Sequence, residues 1–204
     1  MLEMTMRRAR STERPPRCAA SAAAKLRHTV RGFTLIELMV TLSIGVLLMV
    51  VAVPSFVQFR RNADLSDASS GFIMAANAAK SASLKSSRNT IMLWNLPAQG
   101  WRSGWMVFVD NGDNVFNAAD DQIVTQRDEP LPADITVTPT AGTTLAAGYL
   151  SFSGSGYPRT TAGARIGSSL ITSLDMAITG RTTRVTLGPD GRLRSCRVTV
   201  DPGC

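Results

Sequence analysis

Few side chains in this 204-residue chain are placed to do chemistry. The most conspicuous is Glu37, the single charged residue in the 21 positions from Phe33 to Val53. A carboxylate among Leu35, Ile36, Leu38 and Met39 is costly in hydrocarbon unless it finds a partner, so its chemistry is pairing rather than catalysis. A second group is acidic: Asp110-Asn111-Gly112-Asp113-Asn114, followed by Asp120 and Asp121. An EF-hand counted from Asp110 requires glutamate at its twelfth place, where Asp121 stands, and Gly112 comes too early for the central glycine. The expected structure is a solvated turn in which Asx side chains bond their own backbone, with no metal. The third group is basic: Gly191-Arg192-Leu193-Arg194, with Arg181, Arg184 and Arg197 close by in the chain. The planar arginine fork suits phosphate, and such contacts carry little base-sequence information.

Several reaction classes are excluded by what surrounds these groups. The sole histidine, His28, precedes the apolar run. Beyond that run neither a His-based triad nor a His-containing zinc site can form, and Cys196 and Cys204 alone do not complete a zinc shell. Gly154-Ser155-Gly156-Tyr157-Pro158 lacks the lysine and spacing of a P-loop and reads as a turn. The scattered aspartates include no pair suited to general acid/base work. No catalytic residue and no cofactor are expected.

The elements that must position these groups begin with the apolar run. Phe33–Val53 makes about 31 Å of helix, enough to cross the hydrocarbon once. Pro54 is expected to kink or locally melt it, and Arg60-Arg61 end the apolar section. Leu65, Ala68, Phe72, Ala75, Ala76 and Ala79 then recur at three- and four-residue spacing, an amphipathic stripe suited to lying on a sheet. Gly71 weakens this helix locally, and Lys85–Asn89 ends it. Strands are expected at Thr90–Trp94, Gly104–Val109, Asp134–Thr138, Tyr149–Ser153, Ser173–Thr179 and Thr182–Leu187. Gly104–Val109 is apolar on both faces and should be central. Gly188-Pro189-Asp190-Gly191 has the residues of a type I turn, joining Arg184–Leu187 to Arg192–Val200 as a late hairpin. Strict alternation would put Arg192 and Arg194 on one face and Leu193 on the other.

Charge is unevenly spread. Of the net +7, residues 1–32 hold eight Lys/Arg against two Glu, which leaves only +1 for the rest. Within that rest, residues 159–204 carry +4 and residues 33–158 carry −3, so the C-terminal excess is the one asymmetry that bears on partners.

The stretch GFTLIELMVTLSIGVLLMVVAVPSF, residues 32–56, resembles the start of a type IV pilin or a type II secretion pseudopilin. The segment WMVFVDNGDN with the following Asp120-Asp121-Gln122-Ile123-Val124 resembles the head of the GspH/FimT branch of that class. The resemblance implies an α+β, pilin-like fold: a long N-terminal helix, transmembrane then amphipathic, packed on a mainly antiparallel β-sheet head. It divides the chain into a prepilin leader (1–32), a transmembrane helix (33–59), an amphipathic half (60–89) and a β-rich head (90–204). It implies cleavage between Gly32 and Phe33 and methylation of the new Phe33 amino group by a prepilin peptidase/methyltransferase. Glu37 becomes the fifth residue of the processed chain and pairs with the amino terminus of a neighbouring subunit during assembly. Other partners implied are major and minor pilins or pseudopilins and an inner-membrane assembly platform. The chain would cross the bacterial inner membrane once, N-terminus cytoplasmic and head periplasmic, as the basic flank of residues 1–32 also favours. An oxidising periplasm would allow a Cys196–Cys204 disulfide, with free or partner-linked thiols as alternatives.

The resemblance bears on the arginines too. FimT-like minor pilins are associated with DNA capture through a C-terminal GRxR motif, which Gly191-Arg192-Leu193-Arg194 matches; Arg181, Arg184 and Arg197 would extend the patch toward double-stranded DNA. The alternative is a GspH-like pseudopilin of a type II secretion system, its arginines serving solubility or subunit contacts.

Overall fold

The computed structural model describes residues 32–160, 162–167 and 172–200. The chain divides into two compact units, Met1–Gly45 and Val46–Cys204. One helix, α1 (Leu35–Ser86), contributes to both, and nine strands follow it among the described residues.

In the first unit α1 starts on a cap. The Glu37 backbone N–H donates to Thr34 Oγ1 at 3.2 Å, which satisfies one of the amides that a helix start leaves without an intrahelical acceptor. Thr34-x-x-Glu37 has the spacing of a capping box. The polar residues inside the apolar run turn inward on their own backbone: Thr41 Oγ1 donates to Leu38 O (2.9 Å) and Ser43 Oγ to Met39 O (2.8 Å). Neither hydroxyl is then left unpaired in an apolar surrounding.

The second unit holds the rest of α1 and the strands. α1 passes through Pro54 without a break, so the local melting expected there does not occur. Proline deletes one donor, and Ser55 Oγ beside it donates to Val51 O at 3.3 Å. The helix stops at Ser86, within the polar run Lys85–Asn89 expected to end it, where Ser87 turns to a positive φ of 55°. All six stripe residues named above are buried, together with Ser69 and Ser83.

Against this stripe lie two antiparallel sheets. The first has the order β3-β2-β1-β5-β6, from β1 (Thr90–Leu96), β2 (Gly100–Val109), β3 (Gln122–Arg127), β5 (Tyr149–Phe152) and β6 (Pro158–Arg159). The second has the order β4-β7-β8-β9, from β4 (Thr136–Pro139), β7 (Thr172–Ile178), β8 (Arg181–Leu187) and β9 (Leu193–Arg197). β2 is paired on both edges, consistent with its apolar character on both faces. One core joins the helix to both sheets: Leu65, Phe72 and Ala76 pack with Met92, Trp105 and Leu150 of the first and with Leu174, Met176 and Val185 of the second.

Phe72 is central to that core. Its ring meets Trp101 and Trp105 edge-on, with centroids 5.4 and 5.6 Å away. Burying such a side chain is worth about 1.5–3 kcal/mol. Trp101 satisfies its indole N–H on Leu145 O at 2.7 Å, so the aromatic cluster leaves that donor paired. Gly71 has a spatial role: a Cβ there would lie 3.4 Å from Arg127 Nη1 and 3.6 Å from the Trp105 ring. Its bare backbone lets Arg127 sit over Trp105 (5.6 Å) while bridging to Asp67 at 3.2 Å.

Candidate functional site

The late hairpin forms as its turn residues require. β8 and β9 pair with Leu187 opposite Leu193 and Thr183 opposite Arg197. Gly191 N–H donates to Gly188 O at 2.9 Å, closing the turn, and Gly191 takes φ +72°, a conformation that favours glycine. The helix holds this turn from beneath. Lys80 Nζ donates to Gly191 O at 3.0 Å and to Asp190 O at 3.4 Å.

Register then decides where each arginine points. In β8, Thr183, Val185 and Leu187 are buried, so Arg181, at the same parity, shares their α1-facing side. Arg197 sits opposite Thr183 and therefore shares that side as well. Arg184 and Arg194 have the other parity and lie on the outer face. The expected single patch is thus divided: Arg181 and Arg197 on one face, Arg184 and Arg194 on the other, Arg192 just ahead of β9 at the turn.

Their states differ too. Arg184 is half-buried and pairs with Asp175 through two bonds, Nε to Oδ1 at 2.6 Å and Nη2 to Oδ2 at 2.7 Å. Hydrogen bonding to that carboxylate raises the pKa of Arg184, against an opposing effect of burial. Asp175 stands directly across the β7–β8 ladder, so this is a cross-strand ion pair built into the sheet. Arg192 Nε lies 3.2 Å from Asp190 Oδ2 in an exposed pair, which is worth little in water and is readily exchanged for another anion. Arg194 is exposed on the outer face. Arg181 Nη1 donates to Asn62 Oδ1 of α1 at 3.4 Å.

The acidic loop is organised as its Asx residues suggest. Asp121 accepts from Asn111 N–H (3.0 Å) and Asn117 N–H (2.8 Å), and Asp110 Oδ1 from Asn114 N–H (3.0 Å). Asp113 accepts from Val115 N–H at 3.0 Å. Asp110 is buried, and its Oδ2 has no hydrogen-bond partner among the described residues. Burial raises its pKa above the ordinary carboxylate range; the bond from Asn114 opposes this and the neighbouring Asp113 adds to it.

Residues 27–53 match the model of the prokaryotic N-terminal methylation motif. Residues 68–203, more than half of the chain, match the model of type II transport protein GspH. The chain belongs to the GspH family. GspH-family membership accounts for the pilin-like arrangement of a long N-terminal helix on antiparallel sheet. The chain is accordingly a non-enzymatic pilin or pseudopilin subunit, a substrate of prepilin processing and a partner of other such subunits, and among the described residues it has one helix, near the N-terminus, long and apolar enough to span a membrane. It is similar in fold to the type IV minor pilin FimU of Pseudomonas aeruginosa. That match has 14% identity over 67% of this chain and 90% of that one, with a TM-score of 0.51. A second crystal form of the same protein matches at 12% identity over 64% and 91%, with a TM-score of 0.48. No curated protein matches the chain.

Within the GspH-family chain, Gly32, Phe33 and Glu37 stand at the head of α1, where the methylation motif also matches. Thr34 was not singled out from the sequence, although the Thr-x-x-Glu spacing was the available signal. Lys80 was missed because nothing local links it to a turn 111 residues away. Of the expected cysteine pair, Cys196 is half-buried in β9, whereas Cys204 lies outside the described residues, as do residues 1–31.

Proposed function

We propose that this chain is a minor pilin of a type IV pilus. In this reading it is cleaved between Gly32 and Phe33, methylated on Phe33 and inserted once in the inner membrane with its head in the periplasm. The domain scheme follows: leader 1–32, membrane helix 33–59, amphipathic half 60–89 and head 90–204. Glu37, fifth in the processed chain, pairs with a neighbour's amino terminus as the assembly platform adds the subunit. The observation that carries this reading is the methylation motif lying on a helix that starts at Leu35, with Glu37 in its first turn. In hydrocarbon an unpaired carboxylate is strongly disfavoured, and pairing with a cationic amino terminus removes that cost at the moment of docking. Glu37→Ala should therefore insert normally in the membrane yet fail to enter filaments efficiently. Normal incorporation of the variant would overturn the role of Glu37.

The hairpin supplies the second part of the proposal. Arg192 at the turn and Arg194 on the outer face hold double-stranded DNA through its phosphates, supporting natural transformation. Arg184 is occupied by Asp175 and ties β8, against which the Arg194-bearing strand β9 pairs, to β7. Such few contacts give weak, salt-sensitive binding that several copies in one filament would strengthen. A Cys196–Cys204 disulfide would clip the C-terminal tail to β9.

A second reading is favoured by the description of the matching family model. In it the chain is a minor pseudopilin of a type II protein secretion system, and Arg192 and Arg194 contact neighbouring subunits. DNA retention by the full chain separates the two.

A further inference from the structure

Arg181 and Arg197 share a cavity that is short of an anion. With Gln58, Asn62, Gly180 and Thr199 they line a polar hollow of about 230 Å³ between α1 and the β8–β9 end of the second sheet. No carboxylate lines it among the described residues. Arg61, the nearby cation on α1, already bridges to Asp134 at 3.5 Å, so that carboxylate is engaged elsewhere. Arg181 Nε is buried without a hydrogen-bond partner among the described residues. Two like charges lining one small cavity disfavour each other, and a buried donor without an acceptor costs free energy. An anion relieves both. The lining also offers two planar arginine forks, two side-chain amides and a hydroxyl, a donor-rich set that fits phosphate oxygens.

Position along α1 indicates which phosphate. Phe56, Val57 and Phe59 are exposed at 63%, 42% and 68%, and the continuous run of exposed large apolar residues on the helix ends there, with only the isolated Met74 and Leu84 beyond it. Gln58 and Asn62 straddle that limit, next to the exposed Arg60. In a helix spanning a bilayer, such a limit marks the passage from hydrocarbon to headgroups, where lipid phosphates reside. We propose that this cavity binds the phosphodiester headgroup of an anionic phospholipid in the leaflet on the head's side. A bound headgroup would hold the base of the head against the membrane until the subunit is withdrawn into a filament. This inference rests on α1 spanning the membrane and is independent of the DNA reading of the hairpin.

The test uses the full chain in neutral detergent, loaded with labelled phosphatidylglycerol and passed through gel filtration, with lipid retained per chain as the readout. Retention should fall about tenfold in the Arg181→Gln/Arg197→Gln variant, since each arginine contributes charge-assisted bonds. It should be unchanged in Arg192→Ala/Arg194→Ala, and inorganic phosphate should compete weakly. Should the double pocket variant lose its folded tryptophan fluorescence, the exposed Arg197→Gln is measured alone, with Arg197→Lys expected to restore part of the retention. Equal retention by the wild-type and pocket variants would overturn the site. Inorganic phosphate binding as tightly as the lipid would make it a free-phosphate site, and duplex DNA displacing the lipid would make it a nucleic-acid site. Either result would reject the headgroup assignment.

Discussion

Lys80 Nζ lies 3.0 Å from the carbonyl oxygen of Gly191, tying the turn of the β8–β9 hairpin to the helix on which the head is built. The bond places a helix cation beneath the turn that presents Arg192. It also helps to explain why glycine occupies position 191: a Cβ there would come within 3.2 Å of Lys80 Nζ and 2.8 Å of Gly156 O.

Replacing Lys80 with methionine keeps the aliphatic stem and deletes the donor. Amide exchange over residues 186–195 should then accelerate about two- to tenfold, the range expected for one net hydrogen bond. Hydrogen-exchange mass spectrometry reads this directly, and an unchanged rate would show that Lys80 does not hold the turn.

Arg192→Ala with Arg194→Ala should weaken duplex DNA retention by the full chain and lower the salt slope by about two, close to one unit for each phosphate that is no longer neutralised. Asp190→Asn should move retention the other way, since it frees Arg192 from its neighbour at 3.2 Å. If the double variant retains DNA as the wild type does, the hairpin is not a DNA site and the secretion reading gains.

Asp110 gives a pH prediction with a definite sign. Its folded pKa is raised by burial, so the folded chain holds the proton more tightly than the unfolded chain. Stability is therefore lost as pH rises above the ordinary aspartate range, and the loss is complete once pH exceeds the folded pKa. Asp110→Asn keeps an Oδ1 acceptor for Asn114 and removes the charge. Its melting temperature should exceed the wild type's at pH 7 by about 2 °C or more, with the advantage vanishing near pH 3. A gain of equal size at both pH values would contradict the assignment.

Much of this architecture was legible from residue patterns, and the exceptions have physical causes. The stripe from Leu65 to Ala79 could be read because helix periodicity is local, and every one of its six residues is buried. Gly188–Gly191 could be read because a type I turn sets its own residue requirements. The division of the strands into two sheets could not, since pairings such as β1 with β5 join segments about 60 residues apart and follow from the packed core. Pro54 does not melt the helix, because a long helix tolerates the loss of one donor. The arginines were an intermediate case. The burial of Thr183, Val185 and Leu187 sets the parity that separates Arg181 from Arg184, and alternation in the sequence already contained it. What the sequence lacked was the β8–β9 register that put Arg197 on the side of Arg181, and the Asp175 partner that occupies Arg184.

The proposed role stands most directly on the chemistry of the N-terminus. Intact-mass measurement of the chain from membranes of a host carrying its prepilin peptidase tests it. The expected product lacks residues 1–32 and begins with N-methylated Phe33. A chain that keeps those residues, or that is cut at another position, would contradict it.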